Sequence, residues 1–193
     1  MDIGAFPELE AFILHWGEMG THWGVNRSVA QVHALLYLAD RPLHAEEISD
    51  SLKLARSNVS TALKELQAYG IVRRSHVPAD RRDHFAAETD LWEMLMRISA
   101  ERKRREIDPT IAFLAELKER IDLRGDVPPH LRERISRMHE FIGTLAGSYD
   151  QVRRLPKATL VALIRMGGGI ARFVGGGRRD PGSTEQPHRA RGE

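Results

Sequence analysis

Pro42-Leu43-His44-Ala45-Glu46-Glu47-Ile48-Ser49-Asp50-Ser51-Leu52, followed by Ala55-Arg56-Ser57-Asn58-Val59-Ser60-Thr61-Ala62-Leu63-Lys64-Glu65-Leu66, decides the fold. Ile48 and Leu52 stand four residues apart, so Ala45 to Leu52 reads as a short helix with one apolar face. From Arg56 to Tyr69 the apolar positions Val59, Leu63, Leu66 and Tyr69 keep helical spacing, and Gly70 supplies the stop. The other side of this second helix begins with Arg56, Ser57, Asn58, Ser60 and Thr61. Ser57 or Asn58 acting only as a helix cap is the plain alternative. A cap needs one residue, whereas here five polar positions are broken only by Val59. Ile71 to His76, a turn at Val77-Pro78-Ala79-Asp80, and Asp83 to Glu88 then read as a β-ribbon.

Charge sharpens this reading. Over 193 residues, 29 Lys and Arg face 27 Asp and Glu, a net charge of only +2. Between residues 53 and 82, however, Lys53, Arg56, Lys64, Arg73, Arg74, Arg81 and Arg82 outnumber Glu65 and Asp80 by five. Glu46, Glu47 and Asp50 precede this strip. A basic helix followed by a basic ribbon suits double-stranded DNA, because phosphate attraction positions a protein and a helix supplies base contacts. Arg56 has the fork for guanine and Asn58 the amide for adenine; Ser57, Ser60, Thr61 and Lys64 suit phosphate. Asp80 can hold one of Arg81 and Arg82 while the other enters the minor groove, and Arg73 and Arg74 extend the charge along the ribbon. A merely solvated basic face is the competing reading.

Outward from this centre the chain is helical. Leu9, Phe12, Ile13, Trp16 and Met19 predict a helix from Pro7 to Met19, with Gly17, Gly20 and Gly24 loosening its end. Asn26 or Ser28 caps a second helix that buries Val29, Val32, Leu35 and Leu36 and stops before Pro42. After the ribbon, Asp90 and Glu93 have capping-box spacing, and Leu91, Leu95 and Ile98 share a face. Asp108-Pro109 is either a new helix start or a kink in one long helix. Ile107, Ile111, Leu114 and Ile121 keep a spacing near 3.5, which suits pairing with another helix. Pro128-Pro129 opens a further helix carrying Leu131, Ile135, Met138, Ile142, Leu145 and Tyr149. A last apolar stretch runs from Ala158 to Val174.

The expected fold is mainly α, a winged helix-turn-helix with a two-stranded β-wing plus a helical dimerisation region. Residues 1–89 would form the DNA-binding domain, 90–175 the helical dimerisation and effector region, and 176–193 a disordered tail. A composition of 41% hydrophobic and 29% charged residues is that of a globular chain. Cysteine is absent, which removes disulfides, thiol sensing and cysteine-ligated zinc. No window approaches the roughly 20 apolar residues of a membrane span. Met1-Asp2-Ile3-Gly4 lacks the pattern of a secretory leader, so a cytoplasmic location without a membrane partner is expected.

These residues resemble a winged helix-turn-helix of the MarR type, and more closely its GbsR-like branch. Besides the opening stretch, the resemblance rests on Gly70-Ile71-Val72-Arg73-Arg74, Asp80-Arg81-Arg82, Glu88-Thr89-Asp90-Leu91-Trp92-Glu93-Met94 and Arg104-Arg105-Glu106-Ile107-Asp108-Pro109, within residues 10 to 120. It implies a homodimeric transcription regulator, usually a repressor, whose outer helices form the dimer interface. A winged protein-interaction adaptor without sequence-specific DNA binding is the alternative. No paired carboxylates or nucleophile–base set supports an enzyme, and no cofactor is expected.

Trp16, Trp23, Tyr37 and Trp92 form a candidate effector box. Such boxes hold quaternary ammonium groups by cation–π attraction, and GbsR-like proteins are associated with choline and betaine control; burial in a core is the competing reading. His15, His22, His33 and Glu18 lack tight ligand spacing, so no metal site is expected. Gly167-Gly168-Gly169 and Gly175-Gly176-Gly177 lack the lysine of a phosphate loop. Arg102-Lys103-Arg104-Arg105 reads as a solvated helix face rather than a DNA contact.

Overall fold

The computed structural model describes residues 6–78 and 80–175; the expected tail at 176–193 lies outside them. Helices α1 (Pro7–His22) and α2 (Arg27–Leu38) pack against each other. Pro7 enters α1 at its first turn, where a missing N–H costs nothing, and Glu8 and Glu10 face the positive helix end. The expectation that glycines loosen this helix after Met19 is corrected, because α1 continues through Gly17 and Gly20 to His22. A Cβ on Gly20 would stand 2.5 Å from the Ala30 Cβ, and one on Gly17 would stand 2.7 Å from the Gln31 Cγ. These two glycines permit close helix packing; Gly24, at φ +76°, makes the turn. Asn26 is the residue that caps α2, its side chain accepting from the Ser28 N–H at 2.8 Å.

Strand β1 (Leu43–His44) leads without a loop into α3 (Ala45–Leu52), and α4 (Arg56–Ala68) follows. His44 Nδ1 accepts from the Glu47 N–H at 3.3 Å while Glu47 Oε2 accepts from the His44 N–H at 3.0 Å, a reciprocal capping box. Strands β2 (Val72–Ser75) and β3 (His84–Ala87) form the ribbon, with Val72 opposite Ala87 and Arg74 opposite Phe85. The sheet has three antiparallel strands in the order β1-β3-β2: the two-stranded wing that the sequence predicts, with β1 added at the edge of β3. Leu43 lies opposite Phe85 and His44 opposite His84. Two residues are too few to show alternation, so β1 exists because β3 offers it an edge.

Leu35, Val32, Ile48 and Val59 are the fully buried centre, joined by Leu43, Leu63, Leu66 and Phe85. Helix α5 (Leu91–Arg102) adds Met94 and Ile98 to this core. Asp90 caps it, its Oδ1 accepting from Trp92 N–H at 2.9 Å and Glu93 N–H at 3.2 Å. The Asp90 N–H donates to Glu88 Oε1 at 3.1 Å, a partner that the Asp90/Glu93 spacing does not announce.

At Asp108-Pro109 the helical run does not stop and start again. A π-helical turn at Lys103–Ile107 joins α5 to α6 (Asp108–Arg124) with no break. Proline has no N–H and its ring crowds the carbonyl four residues back, so the wide turn absorbs it. Helix α7 (Pro129–Arg153) follows Gly125 at φ +70°. In α6 and α7 only Leu114 and Ala146 are buried, while Phe113, Leu123, Met138, Phe141 and Leu145 are exposed. Contacts divide the chain into Met1–Tyr149 and Asp150–Glu193; the second unit contains α8 (Lys157–Gly175). Among the described residues no helix is long and apolar enough to cross a membrane.

Candidate nucleic-acid interface

Helix α4 places its apolar positions inward and its polar ones outward. Val59, Ala62, Leu63 and Leu66 are buried, and Arg56, Ser57, Asn58, Ser60, Thr61 and Lys64 are exposed. The cap position is Ala55, and no side chain caps the helix. The reading of Ser57 or Asn58 as a mere cap is therefore overturned. The positive end of α4 is thus left without a capping side chain.

The ribbon stands beside α4. Ser60, Lys64 and Gln67 on the helix, with Arg74 and Arg82 on the ribbon, line one cleft of about 390 Å³. Arg74 reaches across the ribbon to Asp83 at 3.3 Å. Arg73, its neighbour on β2, is exposed but is not among the cleft residues, as the alternation of a strand requires. Of the two tip arginines, Asp80 holds Arg82: Nε donates to Oδ1 at 2.9 Å and NH2 to Oδ2 at 2.5 Å. The Arg82 N–H also donates to Asp80 Oδ1 at 3.0 Å. Together these bonds hold the Asp80 carboxyl well below the usual carboxylate range. Arg81 is left exposed at the tip. Beneath it His84, 4% exposed, has Nδ1 3.0 Å from the Arg82 carbonyl and Nε2 3.5 Å from Asp80 Oδ2.

Two features of this surface are not legible from residue types. Glu46 on α3 sits 2.7 Å from the Arg56 guanidinium and 3.9 Å from that of Arg82, linking the recognition-type helix to the ribbon. Lys53, in the turn between α3 and α4, occupies left-handed backbone at φ 52°. Behind the surface, Arg41 donates to Glu47 at 2.5 Å; this bond, with the backbone bond from His44, lowers the Glu47 pKa to about 2.

The other candidate residues separate. Trp16 and Trp23 meet edge to face at 5.6 Å and line one cavity with His33; Tyr37 lines a small adjoining cavity, and Trp92 neither of the two. His33 is buried whereas His15 and His22 are exposed, and among the described residues no group of three or more metal-ligating side chains gathers. The basic run after Glu101 is engaged within the chain. Arg104 and Arg105 each lie 2.5 Å from Glu101, Lys103 lies 2.7 Å from Asp108, and Arg102 donates to the Trp23 carbonyl. Arg105 also covers the Tyr69 ring at 4.9 Å.

Comparison with known proteins agrees with this geometry. The MarR family model matches residues 23–83, from the turn before α2 to the ribbon. The HTH-type transcriptional repressor GbsR of Bacillus subtilis (strain 168) is 19% identical over 139 residues, spanning 70% of this chain and 77% of that one. A crystal structure of a transcriptional regulator shares the fold, with a TM-score of 0.56 and 21% identity over 76% of this chain and 96% of the other. Residues 23–83 thus match the MarR family, in a fold that a solved transcriptional regulator shares.

Proposed function

We propose that this chain is a transcription regulator, most simply a repressor, that binds an inverted-repeat operator as a homodimer and responds to a small molecule. The observation that carries the reading is the uncapped start of α4, with Arg56 and Asn58 exposed on it, beside a ribbon whose tip presents Arg81. Arg56 and Asn58 read base edges, Ser57, Ser60, Thr61 and Lys64 hold phosphate, and Arg81 follows the minor groove. The exposed apolar faces of α6 and α7 support self-association, since a lone subunit would leave Phe113, Met138, Phe141 and Leu145 in water. Two-fold symmetry then sets half-sites about 34–36 Å apart, or a multiple of that distance. A ligand acts by biasing the separation of the two recognition helices.

Genomic footprinting identifies the operator, and titration of that duplex with the Arg56→Ala/Asn58→Ala variant tests the reading. The variant is expected to lose at least about tenfold in operator affinity while keeping most of its affinity for unrelated duplex. The adaptor reading draws on Glu46, which partly neutralises Arg56 and Arg82. Salt-independent, sequence-indifferent and weak DNA affinity of the unaltered chain would favour it.

A further inference from the structure

A carboxylate on a DNA-facing surface repels phosphate, so an acid kept there needs a use. Three of the acids beside this surface have one that is plain. Asp80 fixes Arg82 within the ribbon, Asp83 meets Arg74 across it at 3.3 Å, and Glu47 caps α3 and accepts from Arg41. Glu46 serves neither the ribbon nor the cap. As the second residue of α3 it stands between His44 and Glu47, whose capping box fixes the backbone from which it projects. Its Oε1 lies 2.7 Å from NH2 of Arg56, the first residue of α4, and its Oε2 lies 3.9 Å from NH1 of Arg82 on the ribbon. The same side chain lines the cleft between helix and ribbon with Lys64, Arg74 and Arg82.

The fold has little need of this pair. The side chains of Arg56 and Glu46 are 77% and 46% exposed, and an ion pair so open to water adds little stability. What it fixes is direction. A guanidinium carries five N–H donors on a planar fork, so one contact through NH2 leaves an edge for the paired acceptors O6 and N7 of guanine. An untethered arginine keeps the freedom of a long side chain, and its charge takes phosphate as readily as a base. We propose that Glu46 is a positioning residue for sequence readout, holding the Arg56 guanidinium toward a guanine and away from phosphate. The inference rests on the operator-binding reading above and deepens it. It also turns round the neutralisation on which the adaptor reading draws: weaker attraction to DNA in general accompanies sharper discrimination among sequences.

The test uses the full chain, Glu46→Gln, Arg56→Ala and the double variant. Each is titrated over a range of salt with the footprinted operator, with operators in which single G·C pairs are replaced, and with unrelated duplex. Glu46→Gln keeps the side-chain shape and should leave Tm unchanged, the pair being exposed. Its affinity for unrelated duplex is expected to rise, and the salt slope to steepen by about one as Arg56 joins the phosphate contacts. Its preference for the operator should fall about tenfold, through one G·C pair of the half-site and not the others. In the Arg56→Ala background the same change should leave the preference as it is, because no guanidinium remains to be oriented. If Glu46→Gln raises both affinities by one factor, Glu46 is only a brake on DNA binding; the inference fails and the operator reading stands. A loss of preference that persists without Arg56 also overturns the inference, since Glu46 then acts elsewhere. If the unaltered chain prefers no duplex, the operator reading falls and this inference with it.

Discussion

The winged half and the α6–α7 half of the first unit use similar residues to opposite ends. In the winged half, Val32, Leu35, Ile48 and Val59 are fully enclosed by helices α1 to α5 and a small sheet. In α6 and α7, Phe113, Leu123, Met138 and Phe141 are more than half exposed, Leu123 by 87%. Apolar helical spacing says that a face will be covered; it does not say by what. One half closes its core with its own elements, and the other presents faces that a second copy is expected to close.

The largest effect that would break this contrast is on stability. Leu35→Ala removes a side chain with no exposure and is expected to cost about 2–5 kcal/mol at every protein concentration, measured by urea unfolding. Phe141→Glu, placed on a 64% exposed position, should instead leave the winged half folded and convert dimer to monomer in analytical ultracentrifugation. If Phe141→Glu were silent, α7 would not form the interface.

Acid should act next most strongly, and first on the half that buries histidine. His33 and His84 are the buried polar side chains among the described residues, and both belong to the winged half. The folded pKa of His33, about 4, lies below the ordinary 6.5. The unfolded chain therefore takes up this proton first, and stability falls as pH drops from about 6.5 to about 4. The loss approaches roughly 3 kcal/mol at full protonation. Glu47, lowered to about 2, contributes with the same sign at lower pH, where its bond to Arg41 is lost. His33→Phe should flatten the curve between pH 6.5 and 4 while leaving the lower limb; an unaltered slope would show that His33 is not the group responsible.

The same contrast explains what could be read from sequence. α3 and α4 were legible because their covered faces repeat at helical spacing and Gly70, at φ +70°, ends the pair. The basic strip was legible because charge is a property of residue type. β1 was not, since two residues carry no period, and neither were the roles of Gly17 and Gly20, whose reason lies across the gap in Ala30 and Gln31. The partition of the tip arginines between Asp80 and solvent depended on geometry, as did Glu46 beside Arg56. The cavity joins residues 16, 33, 66 and 98, which no local spacing brings together.

The smallest effect concerns Lys53, where the winged half departs from local preference. A non-glycine residue in left-handed backbone carries strain of about 1 kcal/mol, and glycine would relieve much of it at φ 52°. Lysine at that position is thus a cost to the fold, which invites a reason outside the fold. The turn holding it leads into the uncapped start of α4, so its ammonium extends the positive field just where phosphate is expected. Lys53→Gly should raise stability by roughly 0.5–1 kcal/mol and weaken DNA binding for all sequences alike. The slope of log affinity against log salt should fall by about one. Lys53→Arg separates the two contributions, since it keeps both the charge and the strain: its stability and salt slope should match those of the unaltered chain. A slope unchanged in Lys53→Gly would remove Lys53 from the phosphate contacts and leave its strained backbone without a functional cause.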